Sequence, residues 1–389
     1  MRTPLCDMFG IDVPIFAFSH CRDVVAAVSR AGGLGVLGAV AFSPEQLEIE
    51  LKWIDEHVGG KPYGVDTVMP AKYEGKDRGL GQADESGKID ASVFEAMVPQ
   101  ETRDWIEKVL TEYKVPKLPE GVDNGFGGLL GWTEGGGRNA VDVALDHPGC
   151  KLLVNALGPP PKDVIDAAHA HGLKVAALVG AVKHALRQVE QGVDIIVAQG
   201  TEAGGHTGEI GSMVLIPDVV DAVAPVPVLG AGGIATGRQA AAAMALGAQG
   251  VWTGSVWLTV QESDMIPEVK EKFFAAEAKD AVRSRSLSGK PARMLRSPWT
   301  EAWESEECPG TLGMPLQYMA CADANARMMH YVRNPQSRAR ELLTMPVGQV
   351  VGRMKQEKKA ALVVMEFMEE FIDTVDRLNG TLAAAERTR

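Results

Sequence analysis

The part of this chain best suited to chemistry is a glycine-rich run at residues 199–208 that contains a single histidine, His206. The run directly follows an apolar segment, residues 194–198, whose composition is that of a β-strand. Glycine lacks a Cβ and tolerates positive φ, so such a loop can approach a flat ligand closely. A histidine held at the end of a strand can exchange protons near neutral pH. The run therefore predicts a catalytic loop with His206 as its acid or base.

Two further glycine loops, at residues 230–237 and 253–255, also follow predicted strands. In barrel enzymes the loops after strands seven and eight commonly bind phosphate through backbone N–H groups. Glycine would permit close backbone approach, and a serine hydroxyl would add a donor. The candidate phosphate ligands are Gly232, Gly233, Gly254 and Ser255. Two such loops at these positions favour a phosphate site over a pair of turns without ligand.

A dinucleotide site of the Rossmann type is disfavoured. The 230–237 run does not match the G-x-G-x-x-G spacing, and no strand-ending acid lies at the distance expected for a ribose contact. The glycine loops and the loop histidine together favour a phosphate-bearing cofactor that lies across the mouth of a barrel.

Eight short runs, most of them continuously apolar, are predicted to be the strands that position these loops. Continuous apolarity is expected where helices cover a parallel sheet. The predicted strands are 14–18, 34–37, 63–68, 151–155, 174–178, 194–199, 226–230 and 249–253. The predicted helices between them are 23–31, 44–57, 161–171, 182–191, 216–224 and 236–246. This alternation predicts an α/β fold, a closed (β/α)8 TIM barrel, with a doubly wound sheet as the alternative.

Two regions depart from the alternation. Residues from about 70 to 138 are rich in glycine and charge, with one predicted helix at 100–113. This insertion after strand 3 is interpreted as a lid or rim, with surface decoration or an oligomer contact as the alternative. The later chain is expected to be helical, and its predicted helices are 267–280, 320–331 and 348–378. We therefore expect a barrel domain at 1–275 and a C-terminal helical subdomain with a terminal helix at 276–389.

Composition narrows the classes of partner. A formal net charge of -12 argues against a broad nucleic-acid surface and against adhesion to anionic lipid. No apolar run approaches the roughly 20 residues that span a bilayer, and the first residues lack a hydrophobic signal core. The expected location is the cytoplasm. The odd number of cysteines and the histidine spacing predict neither a disulfide framework nor a structural metal site.

Several segments occur in an order that carries a family resemblance. They are Pro14-Ile-Phe-Ala-Phe, Ala31-Gly-Gly-Leu-Gly-Val-Leu-Gly, Gly64-Val-Asp, Glu202-Ala-Gly-Gly-His-Thr-Gly-Glu, Ala231-Gly-Gly-Ile-Ala-Thr-Gly-Arg and Leu246-Gly-Ala-Gln-Gly-Val-Trp-Thr-Gly-Ser. The sequence resembles the nitronate monooxygenase family, formerly called 2-nitropropane dioxygenases. It is equally similar to the related flavin-dependent enoyl-acyl-carrier-protein reductases. The resemblance covers most of residues 10–260 outside the insertion.

The resemblance implies an FMN-containing barrel with its phosphate on the loop ligands named above and with His206 as the catalytic residue. The implied contacts of the isoalloxazine ring are Ala17, Phe18, Asp66, Gln199, Gly204 and Gly205. The implied reaction is oxidation of alkyl nitronates with O2. The alternative is NAD(P)H-dependent reduction of enoyl thioesters, and a barrel that binds flavin without turnover is a third hypothesis. The expected partners are a small-molecule substrate and O2, with a homodimer left open.

Three positions depart from the family pattern. Ala17-Phe18-Ser19 replaces the usual Gln-Gly-Gly, Asp66 replaces an asparagine, and Leu178 replaces a lysine that many members carry. FMN binding remains the expectation, but the substrate could differ from a simple nitronate.

Four further positions are secondary candidates for the site. Glu202 is expected either to orient His206 or to cap a turn, and His20 either to touch substrate or to be structural. Gly348 and Gln349 resemble a late segment that approaches the flavin in relatives.

Overall fold

The predicted barrel is confirmed, since in this computed structural model eight parallel strands close into a ring in which the last barrel strand pairs with the first. The structure describes residues 1–70, 72–74, 76–78, 80–81, 92–122, 124 and 132–386. Its strands are β1 (Ile15–Ser19), β2 (Leu34–Gly38), β3 (Tyr63–Thr67), β4 (Cys150–Asn155), β5 (Lys174–Val179), β6 (Ile195–Gln199), β7 (Gly205–His206), β8 (Val228–Ala231), β9 (Gly250–Thr253), β10 (Ala281–Ser284) and β11 (Ala292–Leu295). The barrel uses all of them except β7, β10 and β11, which form a separate antiparallel sheet.

Helices alternate with the barrel strands and continue beyond them. The α-helices of the described ranges are α1 (Pro4–Phe9), α2 (Arg22–Arg30), α3 (Pro44–His57), α4 (Ser92–Ala96), α5 (Gln100–Glu112), α6 (Glu134–Leu145), α7 (Lys162–Ala170), α8 (Val182–Gln191), α9 (Ser212–Val223), α10 (Gly237–Ala245), α11 (Pro267–Ala275), α12 (Pro298–Trp303), α13 (Leu316–His330), α14 (Ala339–Leu342) and α15 (Ala360–Glu386). None of those described is both long and apolar enough to cross a bilayer.

Each barrel strand sends alternate side chains to two apolar layers, which explains its continuous apolarity. On β6, Ile195 and Val197 lie in the cluster that fills the barrel lumen, whereas Ile196 lies in the layer beneath the helices. Helix α1, which sequence analysis missed, closes the amino end of the lumen. Its Leu5 is buried in the luminal cluster, and the neighbouring Thr3 hydroxyl donates to the carbonyl of Gln249 at 2.7 Å.

Local signals in the sequence fix several helices at their predicted bounds. Helix α3 begins after Ser43, whose side chain accepts from the backbone of Gln46 while Gln46 accepts from Ser43, a reciprocal capping box. Helix α8 ends at Gly192, which takes the left-handed conformation at φ 96 that glycine adopts without strain. Both helices match the predicted ranges 44–57 and 182–191.

Helix α6, the crossover between β3 and β4, was not predicted because it begins with three glycines. Glycine has low helix propensity, so the segment has the composition of a loop. The structure shows a packing reason for one of them: a Cβ on Gly137 would lie 2.4 Å from Met69 Cγ and 2.7 Å from the carbonyl oxygen of Val68. Close approach of α6 to the end of β3 therefore requires glycine.

The predicted helix 348–378 is wrong in its first part. Residues 348–359 do not join α15, which begins at Ala360, and contain instead a short 3-10 turn at Gln349–Arg353. Their backbone groups are used elsewhere: Gly348 N–H donates to Ser255 and Gln349 N–H donates to the carbonyl of Glu202. Tertiary contacts therefore override the helical spacing. The predicted helix 267–280 likewise ends early, at Ala275.

The insertion packs onto the C-terminal region. Arg327 of α13 is buried and forms an ion pair with Glu107 of α5, and its guanidinium also donates to the carbonyls of Val115 and Pro116. The expected lid role remains a prediction, and much of the predicted insertion lies outside the described residues. The division at residue 275 also remains a proposal, with α15 returning to pack against α10 and α2 of the barrel.

The contact between α10 and α15 gives a test of this packing. We expect Gly237→Ala to lower the free energy of unfolding by about 1–3 kcal/mol, the usual range for overpacking. A Cβ at this position would lie 2.0 Å from the carbonyl oxygen of Phe367. Gly380→Ala on α15 is the control, because a Cβ there meets open space and should be neutral or stabilise by up to about 1 kcal/mol. Urea unfolding of both variants is the measurement, and equal destabilisation would contradict the packing argument.

Candidate active site

The predicted site residues all lie at or just beyond the carboxyl ends of barrel strands, so the closed ring brings them to one face. They follow β1, β3, β6, β8 and β9, and they are Ala17, Phe18, Asp66, Gln199, Gly204, Gly205, His206, Gly232, Gly233, Gly254 and Ser255. The carboxyl face is where barrel enzymes build their sites. The individual roles of these residues remain predictions.

A late segment of the chain holds two of these loops together. The Gly348 N–H donates to Ser255 Oγ at 2.8 Å, and the Gln349 N–H donates to the carbonyl of Glu202 at 2.9 Å. A Cβ on Gly204 would lie 2.8 Å from the Gly348 nitrogen, so the two backbones are in direct contact. The loops after β6 and β9 are therefore fixed to each other through the 347–349 segment.

The loop after β8 forms a cradle of open backbone donors. Gly232 and Gly233 have φ of 90 and 73, which favours glycine. Their N–H groups donate to no acceptor within the described part of the chain. The geometry suits an anion, as backbone donors of this kind do elsewhere.

A cavity of about 780 Å³ adjoins this cradle, and the cradle glycines form part of its lining. Exposed Arg353 also lines the cavity and forms no ion pair with any described residue. Sequence analysis missed Arg353 because it lies in the segment predicted to be helical. Of the eleven predicted site residues, Gly232 and Gly233 line this cavity; the other nine, which include His206, Asp66, Gly254 and Ser255, do not. The shared phosphate role of the loops after β8 and β9 therefore remains a prediction.

His206 is held by a sheet that sequence analysis did not predict. Strand β7, which contains His206, pairs with β11 so that His206 lies opposite Ala292. The turn before β11 brings the buried Ser288 hydroxyl within 2.5 Å of His206 Nε2. This contact fixes the ring orientation. If Nε2–H donates to Ser288, the Nδ1 lone pair is free to accept a proton; the opposite tautomer presents Nδ1–H as a donor.

The surroundings of His206 keep its imidazole neutral. Burial, and to a lesser extent the positive charge of Lys290, lowers the pKa of His206 to about 4 from its ordinary value of 6.5. Lys290 lies two residues before Ala292, and no described acidic group forms an ion pair with it. Burial also lowers the pKa of Lys290. The pair therefore offers a neutral base beside a cation at neutral pH.

An aromatic wall closes the side of His206. The Trp132 ring meets the imidazole edge-on with centroids 5.5 Å apart, and Tyr318 lies 5.3 Å from Trp132. Trp132 belongs to an apolar cluster with Val68 and Met314. Trp132 comes from the insertion and Tyr318 from the C-terminal region, and no sequence signal connected them to the site. Their position supports exclusion of water from the imidazole.

The barrel mouth beneath the loops combines apolar side chains with the polar Gln199 at the end of β6 and the carboxyl group of Asp66 on β3. Phe18 belongs to the luminal cluster and stacks against Trp252, with ring centroids 6.1 Å apart. Asp66 is 5% exposed, and its Oδ1 has no hydrogen-bond partner among the described residues. Burial raises the pKa of Asp66 to about 8 from 3.8. Ala17 differs from the expectation in one respect: its side chain packs in the outer layer, so only its backbone could face a ligand.

The contacts of Glu202 and His20, two of the secondary candidates, are structural. Glu202 accepts from the backbone and hydroxyl of Ser212 at the start of α9, so it caps a helix and does not contact His206. His20 Nδ1 lies 2.9 Å from the carbonyl oxygen of Gly38, and its ring meets Phe18 edge-on. The geometry therefore supports a capping role for Glu202 and not the orientation of His206.

Comparisons with known proteins place this architecture in context. The nitronate monooxygenase family model matches residues 2–370. A Mycobacterium tuberculosis protein whose name describes a monooxygenase is 52% identical over 380 residues, which cover 98% of this chain and 99% of the relative. A Staphylococcus saprophyticus protein named as a nitronate monooxygenase is 28% identical over 316 residues, or 76% of this chain and 79% of the relative. The solved structure of FabK from Thermotoga maritima gives a TM-score of 0.70 at 26% identity, covering 98% of this chain and 99% of FabK.

The influence of Lys290 on His206 can be measured directly. We expect Lys290→Gln to raise the pKa of His206 from about 4 part of the way toward 6.5, because it removes a positive charge while burial remains. The imidazole is titrated by nuclear magnetic resonance in wild type and variant. Lys279→Gln is the control, since that lysine is exposed and paired with Glu277. An unchanged pKa in Lys290→Gln, or an equal change in both variants, would contradict the assignment.

Proposed function

This chain belongs to the nitronate monooxygenase family, a family of flavin-dependent oxidoreductases, and on that premise we propose that it uses FMN to oxidise alkyl nitronates with O2. The observation that carries the proposal is the neutral His206, which stands beside a cation and behind an aromatic wall. Such a group can accept a proton from a carbon acid, and the adjacent cation suits the anion that results.

The residues at the barrel mouth fit an FMN. The free N–H groups of Gly232 and Gly233, together with the cation of Arg353, are suited to a phosphate. The apolar mouth around Phe18 is suited to a flat ring. Asp66 Oδ1 has no hydrogen-bond partner among the described residues, so it is suited to a polar atom of a bound ligand. These features support FMN over a ligand without phosphate.

In the proposed reaction the bound flavin supplies the electron acceptor, and the protein handles protons and charge. His206 accepts the proton from the carbon beside the nitro group of a neutral substrate, while Ser288 keeps the imidazole in place. Lys290 stabilises the negative charge of the nitronate. Trp132 and Tyr318 keep water away from the imidazole, which strengthens these electrostatic effects.

A second candidate is an NAD(P)H-dependent reductase of enoyl thioesters. The likeness to FabK at 26% identity over nearly the whole chain favours it. In that reaction the same His206 would donate rather than accept a proton. Its pKa of about 4 makes it a neutral group at pH 7, which supports the role of base more directly than the role of acid.

Anaerobic mixing separates these functions. We expect an alkyl nitronate to bleach the flavin absorbance in the absence of oxygen and NADPH to leave it unchanged, because the proposed substrate is itself the reductant. Stopped-flow absorbance is the measurement. Bleaching by NADPH would favour the reductase, and no response to either compound would favour a protein that binds flavin without turnover.

The role of His206 predicts a substrate-dependent defect. We expect His206→Ala to lower kcat/KM for a neutral nitroalkane by about 10²–10⁴-fold, the usual worth of a general base, while a preformed nitronate is oxidised nearly as before. Activity of the wild type on the neutral substrate should fall as pH decreases through the His206 pKa of about 4, because the protonated ring cannot accept a proton. His184→Ala, at an exposed position on α8, is the control. Equal losses on both substrates would remove the proton-transfer role.

A further inference from the structure

We propose that Asp66 is a proton-gated ligand of the cofactor: its un-ionised carboxyl donates a hydrogen bond to the flavin ring, and its ionisation weakens flavin binding. The inference rests on the proposed function, since it requires a flavin at the barrel mouth. It goes further in assigning a protonation state to one side chain and a pH dependence to cofactor affinity.

The alternation of β3 places the Asp66 side chain in the lumen. Tyr63 and Val65 lie in the outer layer beneath the helices. Gly64, between them, faces inward, because a Cβ there would touch the luminal side chains of Leu152 and Val36. Asp66 is therefore the last inward-facing position of β3, at the carboxyl end where the ligand would lie.

Asp66 Oδ1 has no hydrogen-bond partner among the residues that the structure describes. Its register neighbours are Gly38 on β2 and Val154 on β4, neither of which has a polar side chain. Its backbone carbonyl is already used by the N–H of Ala39, so the side chain alone lacks a partner. Of the partly buried residues near the mouth, Phe18 and Leu178 are apolar. Gln199, which follows the luminal Ile195 and Val197 on β6, is polar, but Asp66 Oδ1 accepts no hydrogen bond from it.

No charged group offsets the burial of this carboxyl. The pKa of Asp66 is raised by burial alone, with no contribution from a neighbouring charge. The ring of His20, which follows β1, lies against β2, where its Nδ1 is 2.9 Å from the carbonyl oxygen of Gly38. The ionisable groups of the elements packed against β3 are Cys150 and Lys151 at the opposite end of β4, Arg22, Asp23 and Arg30 on α2, and Glu134, Arg138 and Asp142 on α6.

The protonation state of the buried Asp66 carboxyl determines which kind of ligand atom it can bind. A buried carboxyl without donors stays protonated, because the charged form loses its hydration and gains nothing in return. In that form it has an O–H to donate and needs an acceptor. A flavin ring has carbonyl oxygens and ring nitrogens that accept, and it is flat enough for an apolar mouth. Ionised Asp66 would instead set a negative charge against the ring.

Proton linkage gives the direction of the effect. Donation to the ring would raise the pKa of Asp66 above its value of about 8 in the free protein. Flavin affinity is then full below this pKa and falls as pH rises through it, by up to about tenfold per pH unit. The loss continues until the pKa of the complex is reached.

The experiment measures FMN binding to the apoprotein by quenching of flavin fluorescence, from about pH 6 to about pH 10, which brackets the transition. Asp66→Asn is the matched variant, because it keeps the shape and a donor but cannot ionise. We expect the dissociation constant of the wild type to rise about tenfold per unit above pH 8 relative to that of Asp66→Asn. Ionisations of FMN itself affect both proteins alike and cancel in this ratio.

The outcomes are distinguishable. Parallel pH profiles for the two proteins would overturn the inference about Asp66 and leave the FMN proposal standing. Failure of the folded wild type to bind FMN at any pH would overturn the cofactor assignment itself. If Asp66→Asn does not fold, infrared difference spectra of the wild type decide the point. The band of a protonated carboxyl should shift when FMN binds at neutral pH, and the absence of such a band would contradict the inference.

Discussion

One close backbone approach, between Gly204 and Gly348, underlies the geometry of the whole site. A Cβ on Gly204 would lie 2.8 Å from the Gly348 nitrogen, and one on Gly348 would lie 3.0 Å from the Gly204 nitrogen, so neither position tolerates a side chain without movement. The same segment donates to Ser255, and the chain continues from Gly204 directly into the strand that holds His206. The C-terminal region thus contacts both Ser255, a proposed phosphate ligand, and the loop that leads to His206, the proposed proton acceptor.

The second organising feature is that burial makes two ionisable groups neutral. It lowers the pKa of His206 and raises that of Asp66, so both are uncharged at pH 7. The positive charge near His206 is then that of Lys290. In the proposed function, such a mouth would hold the flat ring by shape and hydrogen bonding and would leave electrostatic attraction to act on an anionic substrate. The low local dielectric makes that attraction stronger than it would be in water.

Prediction from the sequence was accurate where neighbouring residues determine the local structure. The eight barrel strands were found from runs of apolar residues, and α3 was bounded correctly by Ser43 and Gln46. Prediction failed where contacts between residues distant in the sequence determine the local structure. The first turn of helix α6 contains Gly137, which packing against Met69 requires. Gly348 and Gln349 donate their backbone N–H groups to other loops instead of to a helix. Strands β10 and β11 were missed because a short antiparallel pair has no periodicity long enough to detect.

The sequence by itself determined the barrel, the glycine loops and the identity of His206 as the loop histidine, because strand pattern and glycine spacing are properties of neighbouring residues. Only the tertiary structure decided what surrounds that histidine. Its neighbours lie far from it along the chain. The β7–β11 pairing brings Ser288 and Lys290 to it, and the aromatic wall consists of Trp132 and Tyr318. The pKa of a side chain depends on those distant neighbours and on burial, which no local pattern encodes.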